Sequence, residues 1–174
     1  DTIVIDKTGT LTEGKPKLVE LHTLPGYDEA EVLRLAASVE RGSQHPLGAA
    51  LVKAAEERGV ALSDVEDFEA PAGKGVRGSV EGRQVVIGNA RILQEAGIET
   101  GALEAEADRL SEEGATVIFI GIGARLAAVA AIADPIKSTA ADAIAALKAD
   151  GIRIVMLTGD NATTAKAIAR KLGI

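Results

Sequence analysis

The sequence predicts an α/β protein whose parallel sheet is interrupted by an α+β insertion. Three observations predict it. Thr2-Ile3-Val4-Ile5-Asp6 and residues 152–157 are short, continuously apolar runs, the pattern of buried parallel strands, and each runs into a polar, glycine-bearing loop. The second run lies between two helical patterns. Ala140, Ala143, Ile144 and Leu147 recur at i, i+3, i+4 and i+7, and Ala165, Ile168, Ala169 and Leu172 repeat that spacing. Between the two ends the texture changes to hairpin signals, which imply antiparallel pairing.

The elements of the middle can be taken in order. Val32, Leu35, Ala36 and Val39 predict one amphipathic helix, and Leu47, Ala50, Leu51, Ala54 and Ala55 a second. Strand-like runs follow at about 65–70, 76–80 and 84–87. Glu81-Gly82 fits a two-residue hairpin turn between the last two. Helices are expected near 90–96 and 102–112. Residues 117–120 then pair with 126–132 across a turn bearing Gly121 and Gly123. Gly151 and Gly173 stand where glycines close helices, and Thr139 with Asp142 reads as a loose capping box. The expected division is residues 1–15 for the first segment of the parallel-sheet domain, 16–128 for the insertion and 129–174 for the second segment. Two parallel strands and two helices do not cover both faces of a sheet, so further strands are expected after Ile174.

Composition removes several function classes. An apolar fraction of 47% supports a packed core, yet Tyr27, Phe68 and Phe119 are the only aromatic residues. Stacking platforms for single-stranded nucleic acid need aromatics, and a net charge of −7 opposes a phosphate backbone, so no nucleic-acid partner is expected. The chain has no cysteine and only His22 and His45, which argues against disulfides and an ordinary zinc site. No run approaches the roughly 18 apolar residues of a membrane span; residues 126–133 form the longest weakly polar stretch. No signal peptide opens the chain, and its abrupt start reads as the edge of an excised fragment.

The sharpest chemical signal is Asp6-Lys7-Thr8-Gly9-Thr10-Leu11-Thr12. A carboxylate at a strand end can meet a phosphoryl group in line, while free N–H groups of the following loop bind its oxygens. Lys7 adds positive charge for the transferring phosphate. Aspartyl phosphatases commonly carry a second Asp two positions after the nucleophile as general acid and base. Thr8 stands there, and its hydroxyl is too weak an acid for that work. An aspartyl-phosphate at Asp6 therefore persists, which suits an energy-storing intermediate. Thr158-Gly159-Asp160 follows the second buried run; parallel strand ends share one rim, so Thr158 and Gly159 can hold phosphate oxygens near Asp6. The plainer reading is a helix N-cap at Asp160 or Asn161.

Other motifs are open to two readings. Gly73-Lys74-Gly75-Val76-Arg77-Gly78 is a GxGxxG outside any βαβ unit; it admits a close-approaching base or phosphate, or simply a tight-turning strand. Pro46 fits the first position of the second helix and puts His45 at its start, either to face a nucleobase or as a surface residue. Glu40 and Gly88-Asn89 read by themselves as a helix-end carboxylate and a strand-to-helix cap.

Together these residues resemble the P-type ATPases. Asp6 to Thr12 looks like their phosphorylation motif, Met156-Leu157-Thr158-Gly159-Asp160-Asn161 like a second hallmark, and Asp134-Pro135 like the hinge back into that domain. Glu40, His45-Pro46, Gly73-x-Gly75-x-x-Gly78 and Gly88-Asn89 match the adenine-site signature of the heavy-metal branch. The resemblance implies a split haloacid dehalogenase-like phosphorylation domain, incomplete at its C-terminal end, carrying a nucleotide-binding insert on a six-stranded antiparallel sheet. It implies that Asp6 attacks the γ-phosphate of ATP. Mg²⁺ is then held partly by Asp6 and the Thr8 carbonyl. Thr158 and Gly159 hold the phosphoryl group, Lys7 offsets its charge, Asp160 counts with them among the catalytic residues, and Glu40, His45, Gly73, Gly75, Gly78, Gly88 and Asn89 line the adenine site.

The implied parent is a membrane pump exporting a metal cation, copper(I) before zinc, cadmium or cobalt. Its membrane helices, actuator domain and later Mg²⁺-binding loop lie outside these residues, and this chain is its cytoplasmic part. A soluble phosphatase of the haloacid dehalogenase class and a nucleotide-binding module without chemistry are the alternatives.

Overall fold

The structure is a computed structural model describing all 174 residues. Strand β1 (Thr2–Asp6) pairs in parallel with β8 (Arg153–Leu157), Thr2 opposite Arg153 and Asp6 opposite Leu157. Helices α5 (Ala140–Ala149) and α6 (Ala162–Leu172) flank β8 in sequence. Leu11, Ala140, Ile144, Ile154, Ile168 and Leu172 form the core of this lobe. The sheet has two strands only, and Val4 and Leu157 remain 63% and 61% exposed.

Everything between belongs to a second lobe. Its sheet contains β2 (Lys17–Thr23), β3 (Glu66–Glu69), β4 (Gly75–Val80), β5 (Arg83–Gly88), β6 (Thr116–Ile122) and β7 (Arg125–Ala133), in the order β2-β7-β6-β5-β4-β3. All neighbours are antiparallel. Helices α1 (Glu29–Glu40) and α2 (Pro46–Glu57) cover one face, and α3 (Ala90–Glu95) and α4 (Gly101–Glu112) the other. Alternation sorts the side chains: Ile118 and Ile120 point to the α1/α2 core, and Phe119 between them to the α3/α4 core. With both faces covered, β7 is buried almost throughout and reads as one unbroken apolar run.

Four details depart from the sequence expectation. Strand β2 is absent from that reading because a bulge between Leu18 and Glu20 breaks its alternation and leaves Val19 60% exposed. Strand β7 carries the inserted sheet past residue 128 to Ala133, so the chain leaves the lobe at Ala133–Asp134. Thr139 precedes α5 but makes no capping bond, its backbone being already helical at φ −90° and ψ −7°. Gly121 lies inside β6, where a Cβ would meet Ile98 Cδ1 at 2.6 Å, and only Gly123 sits in the turn. The Glu81-Gly82 turn is as expected, with both residues left-handed at φ +52° and +75°.

The lobes are joined by a short seam. The Thr12 hydroxyl, fully buried, donates to Asp134 Oδ2 at 2.5 Å and accepts from the Gly9 N–H at 3.2 Å. Asp134 Oδ1 accepts from the Lys15 N–H at 2.9 Å, and Lys137 Nζ donates to the Gly9 carbonyl at 2.8 Å. This seam fixes both crossings of the chain and the loop after Asp6. Thr12→Val leaves Asp134 Oδ2 without this donor; urea unfolding should show a loss of about 1–3 kcal/mol, with Thr12→Ser losing much less.

Candidate functional site

Asp6 is the last residue of β1, and the backbone turns sharply after it. Gly9 takes φ +77°, and the Thr12 N–H closes the loop on the Lys7 carbonyl at 3.1 Å. Asp6 is left exposed at the rim, whereas Lys7 turns inward and is only 9% exposed. Because Asp6 is registered with Leu157, the next residues of the partner strand, Thr158-Gly159-Asp160, enter the same rim. Asp160 organises them. Its Oδ2 accepts from Lys7 Nζ at 2.5 Å and from the Thr158 hydroxyl at 2.9 Å, and its Oδ1 accepts from the Thr116 hydroxyl at 3.3 Å. The N-cap role falls to Asn161, whose Oδ1 accepts from the Thr164 N–H at 2.9 Å, which frees Asp160 for this network.

The Thr116 contact reaches across the lobes. It is backed by the Thr164 hydroxyl donating to the Ala115 carbonyl at 2.9 Å, and by Ile168 packed against Gly114. From this junction a cleft of about 510 Å³ runs into the inserted lobe, bounded by Gly159 and Asn161 at one end and by Glu40 and His45 at the other. Its size suits a small organic ligand of roughly 300–1,000 Å³. A second hollow of about 580 Å³ lies beside β3, and its Arg77 and Glu69 are already paired with each other.

Within the cleft His45 is the N-cap of α2, and its Nδ1 accepts from the Leu47 N–H at 3.2 Å. That bond leaves the proton of the neutral ring on Nε2. Gly75 and Gly88 are paired opposite each other across β4 and β5 with φ +145° and +154°. A Cβ on either would stand 2.0 or 2.1 Å from a backbone carbonyl oxygen, so neither tolerates a side chain. Asn89 ties the same corner: its Oδ1 caps α3 at Ile92 N–H, and its Nδ2 donates to the Gly73 carbonyl at 3.0 Å. Gly73, Gly75, Gly88 and Asn89 therefore form one backbone latch along the cleft wall. Gly78 does not join them; it lies outside the cleft lining and makes room for Val65, whose Cγ1 would be 2.7 Å from a Cβ.

Glu40 differs from every other acid in the chain. It ends α1 only 6% exposed, and its Oε2 is buried without a hydrogen-bond partner. Burial pushes its carboxyl from 4.5 up to about 7, the Ser43 hydroxyl pulling the other way. Gly48 borders it, and a Cβ there would approach Oε2 to 2.2 Å. The sequence carried a signal for Gly48, a glycine inside an otherwise regular helix. It carried none for Thr116 or Lys137, whose roles come only from tertiary contacts.

Asp6 and the Thr8 carbonyl offer oxygen donors of the kind Mg²⁺ takes, which makes them a fitting part of such a site. The surface trio Glu20, His22 and Glu106 also clusters, but Arg109 occupies it by pairing with both glutamates.

An exposed aspartate on a parallel strand end, with an antiparallel lobe inserted behind it, is the arrangement of a known class. The family of haloacid dehalogenase-like hydrolases matches residues 1–174, and the chain belongs to it. Within that class the chain is 55% identical over its whole length to a silver exporting P-type ATPase of Salmonella typhimurium, and 49% identical to a copper-transporting P-type ATPase of Rhizobium leguminosarum bv. viciae. It spans 21% of the length of each. The crystal structure of a zinc-transporting PIB-type ATPase in its E2.Pi state superposes with a TM-score of 0.79 at 36% identity, over 99% of this chain and 28% of that one.

Two stability predictions follow from the cleft. Gly75→Ala forces the β4–β5 latch apart and should lower the thermal midpoint by several degrees, with loss of amide protection at Asn89. For Glu40 the native carboxyl binds its proton more tightly than the unfolded one, so stability falls as pH rises from about 4.5 to about 7. Glu40→Gln removes that loss. Denaturant unfolding should find it more stable than the parent at pH 8 by on the order of 2 kcal/mol, and near parity at pH 5.

Proposed function

We propose that this chain is the ATP-binding and phosphorylation part of a metal-exporting P-type ATPase, with Asp6 as phosphate acceptor. The observation that carries the reading is the single cleft joining His45 and Gly75 to Gly159, at the rim where Asp6 ends β1. The base of a nucleotide lies at the Glu40–His45 end, along the latch of Gly73, Gly75, Gly88 and Asn89. The phosphates lie toward Thr158 and Gly159. Residues 16–133 are the nucleotide-binding insert, and residues 1–15 with 134–174 belong to the phosphorylation domain.

A carboxylate oxygen of Asp6 attacks the γ-phosphorus of ATP. The bond from that phosphorus to the β–γ bridging oxygen breaks, ADP departs with the electron pair, and an acyl phosphate remains on Asp6. Lys7 sits one residue from the nucleophile and moves from Asp160 toward the incoming phosphate charge. The Thr158 hydroxyl and Gly159 N–H are donors for its equatorial oxygens. Mg²⁺, held in part by Asp6 and the Thr8 carbonyl, supplies neutralisation of the phosphate charge. Thr8 provides no general base, so the acyl phosphate waits for a hydrolytic group from elsewhere in the longer protein.

Copper(I) and silver(I) are favoured cargoes, since the relatives 55% and 49% identical are named for silver and copper. The parent is then an integral membrane protein with this part on its cytoplasmic side. No helix here is long and apolar enough to cross a membrane. The exposed apolar faces at Val4 and Leu157 suit further strands of such a parent.

Calorimetric titration of the chain should show ATP binding that His45→Gln and Gly75→Asp each weaken on the order of tenfold or more. Unchanged affinity in both variants would defeat the cleft assignment. In the full-length pump, labelled ATP with Mg²⁺ should give an acid-stable, hydroxylamine-labile phosphoenzyme that disappears in Asp6→Asn.

A further inference from the structure

The donors at the Asp6 end of the cleft are already engaged, and by one carboxylate. Lys7 Nζ donates to Asp160 Oδ2 at 2.5 Å, and the Thr158 hydroxyl donates to the same oxygen at 2.9 Å. The Asp160 N–H in turn donates to the Thr158 hydroxyl oxygen at 3.1 Å. The side chains of Lys7 and Asp160 are only 11% and 13% exposed, so water competes little for this cluster. The other carboxylate oxygen, Oδ1, accepts from a single group, and that group belongs to the insert: the Thr116 hydroxyl at 3.3 Å.

Thr116 is the first residue of β6 and lines the cleft. The residues just ahead of it hold the two lobes together without its side chain. The Thr164 hydroxyl, 1% exposed as a residue, donates to the Ala115 carbonyl at 2.9 Å, Lys171 Nζ donates to the Glu113 carbonyl, and Ile168 packs against Gly114. What the Thr116 hydroxyl adds to this junction is a hold on Asp160. That hold gains importance when a phosphate arrives. Lys7 and Thr158 then turn to the phosphate oxygens, and Asp160 Oδ2 loses both donors. A half-buried carboxylate is left beside a second anion, with repulsion and lost solvation against it. A donor on Oδ1 offsets part of that cost and keeps the carboxylate from following its former partners. An interaction that matters more in the transition state than before it speeds the step and leaves binding unchanged.

We propose that Thr116 is a positioning residue for phosphoryl transfer: from the insert it fixes Asp160 by Oδ1, and through Asp160 it aims Lys7 and the Thr158 hydroxyl at the phosphate bound for Asp6. This rests on the reading of Asp6 as phosphate acceptor and adds to it the residue through which the inserted lobe takes part in the chemistry. The insert then has two separable tasks on neighbouring strands of one sheet. Gly75 on β4 and Gly88 on β5 shape the wall that holds the nucleotide, and Thr116 on β6 sets the donors. A nucleotide held by an insert that is not docked on α6 is bound but not used, because Asp160 then lacks its Oδ1 donor.

Single-turnover phosphorylation of the full-length pump by labelled ATP, with calorimetric ATP titration of the same variants in this chain, separates rate from binding. Thr116→Val should slow phosphoenzyme formation at saturating ATP roughly ten- to a hundredfold, while ATP affinity stays within a few-fold of the parent. Thr116→Ala, a second side chain without the hydroxyl, should show the same loss, so that a misfit of the valine is not mistaken for a lost hydrogen bond. Thr116→Ser keeps the hydroxyl and should recover most of the rate. Thr164→Val removes the neighbouring bond across the junction and spares Asp160; its saturated rate should stay within a few-fold of the parent. The proposal is overturned by a parental rate in Thr116→Val and Thr116→Ala, by a loss confined to ATP affinity, by no recovery in Thr116→Ser, or by an equal loss in Thr164→Val. A phosphoenzyme that survives in Asp6→Asn would instead overturn the reading of Asp6 as acceptor.

Discussion

The pairing of β1 with β8 is the constraint on which the rest depends. Two strands about 150 residues apart in sequence lie side by side, and their register alone brings Asp6 next to the Thr158-Gly159-Asp160 turn. Closing so long a loop in a disordered chain costs conformational entropy. The inserted lobe removes most of that cost, because its own first and last strands are neighbours: Lys17 is opposite Ala133. Once the insert has folded, the host sees a short connection, and Thr12 with Asp134 stitches its two ends together. A lobe of more than 110 residues can therefore interrupt the two-stranded parallel sheet without disturbing its register.

The same arrangement explains which features were legible in the sequence. The ends of the parallel strands were readable because buried strands are continuous apolar runs, and Asp6 and Thr158 stand where those runs stop. The α1, α2 and hairpin patterns were readable because each element buries one face or turns on two residues, Glu81 and Gly82, with left-handed backbone. Strand β2 was not, since a single bulge at Val19 destroys a period of two. The boundary at Ala133 was hidden for the opposite reason: a strand covered on both faces carries no polar alternation to mark its end.

The site was legible as a set of residue types but not as a division of labour. Gly73, Gly75, Gly78 and Gly88 form one motif by spacing, yet the structure separates them. Three hold the cleft wall, while Gly78 accommodates Val65 on the far side of the hairpin. Asn89 reads from sequence as a helix cap and is one, but its amide also fixes the Gly73 carbonyl. The pairing of Lys7 with Asp160, and of Asp160 with Thr116, could not be seen at all. Such contacts join residues that sequence spacing leaves unrelated, and they are what ties the insert to the loop after Asp6.

The two ends of the cleft are chemically opposite, and this follows from the lobes that supply them. The rim at Asp6 is formed by strand ends and a loop, where carbonyl, hydroxyl and N–H groups are free and charge is screened by solvent. There Lys7 and Asp160 form an ion pair. The far end is formed by the end of one helix, the start of another and a glycine latch, all packed on an apolar core. Glu40 at that end has no cation to pair with, and Gly48 presses no N–H against its free oxygen. A single fold thus sets an ion-paired network at one end of the cleft and a buried acid without an ion pair at the other.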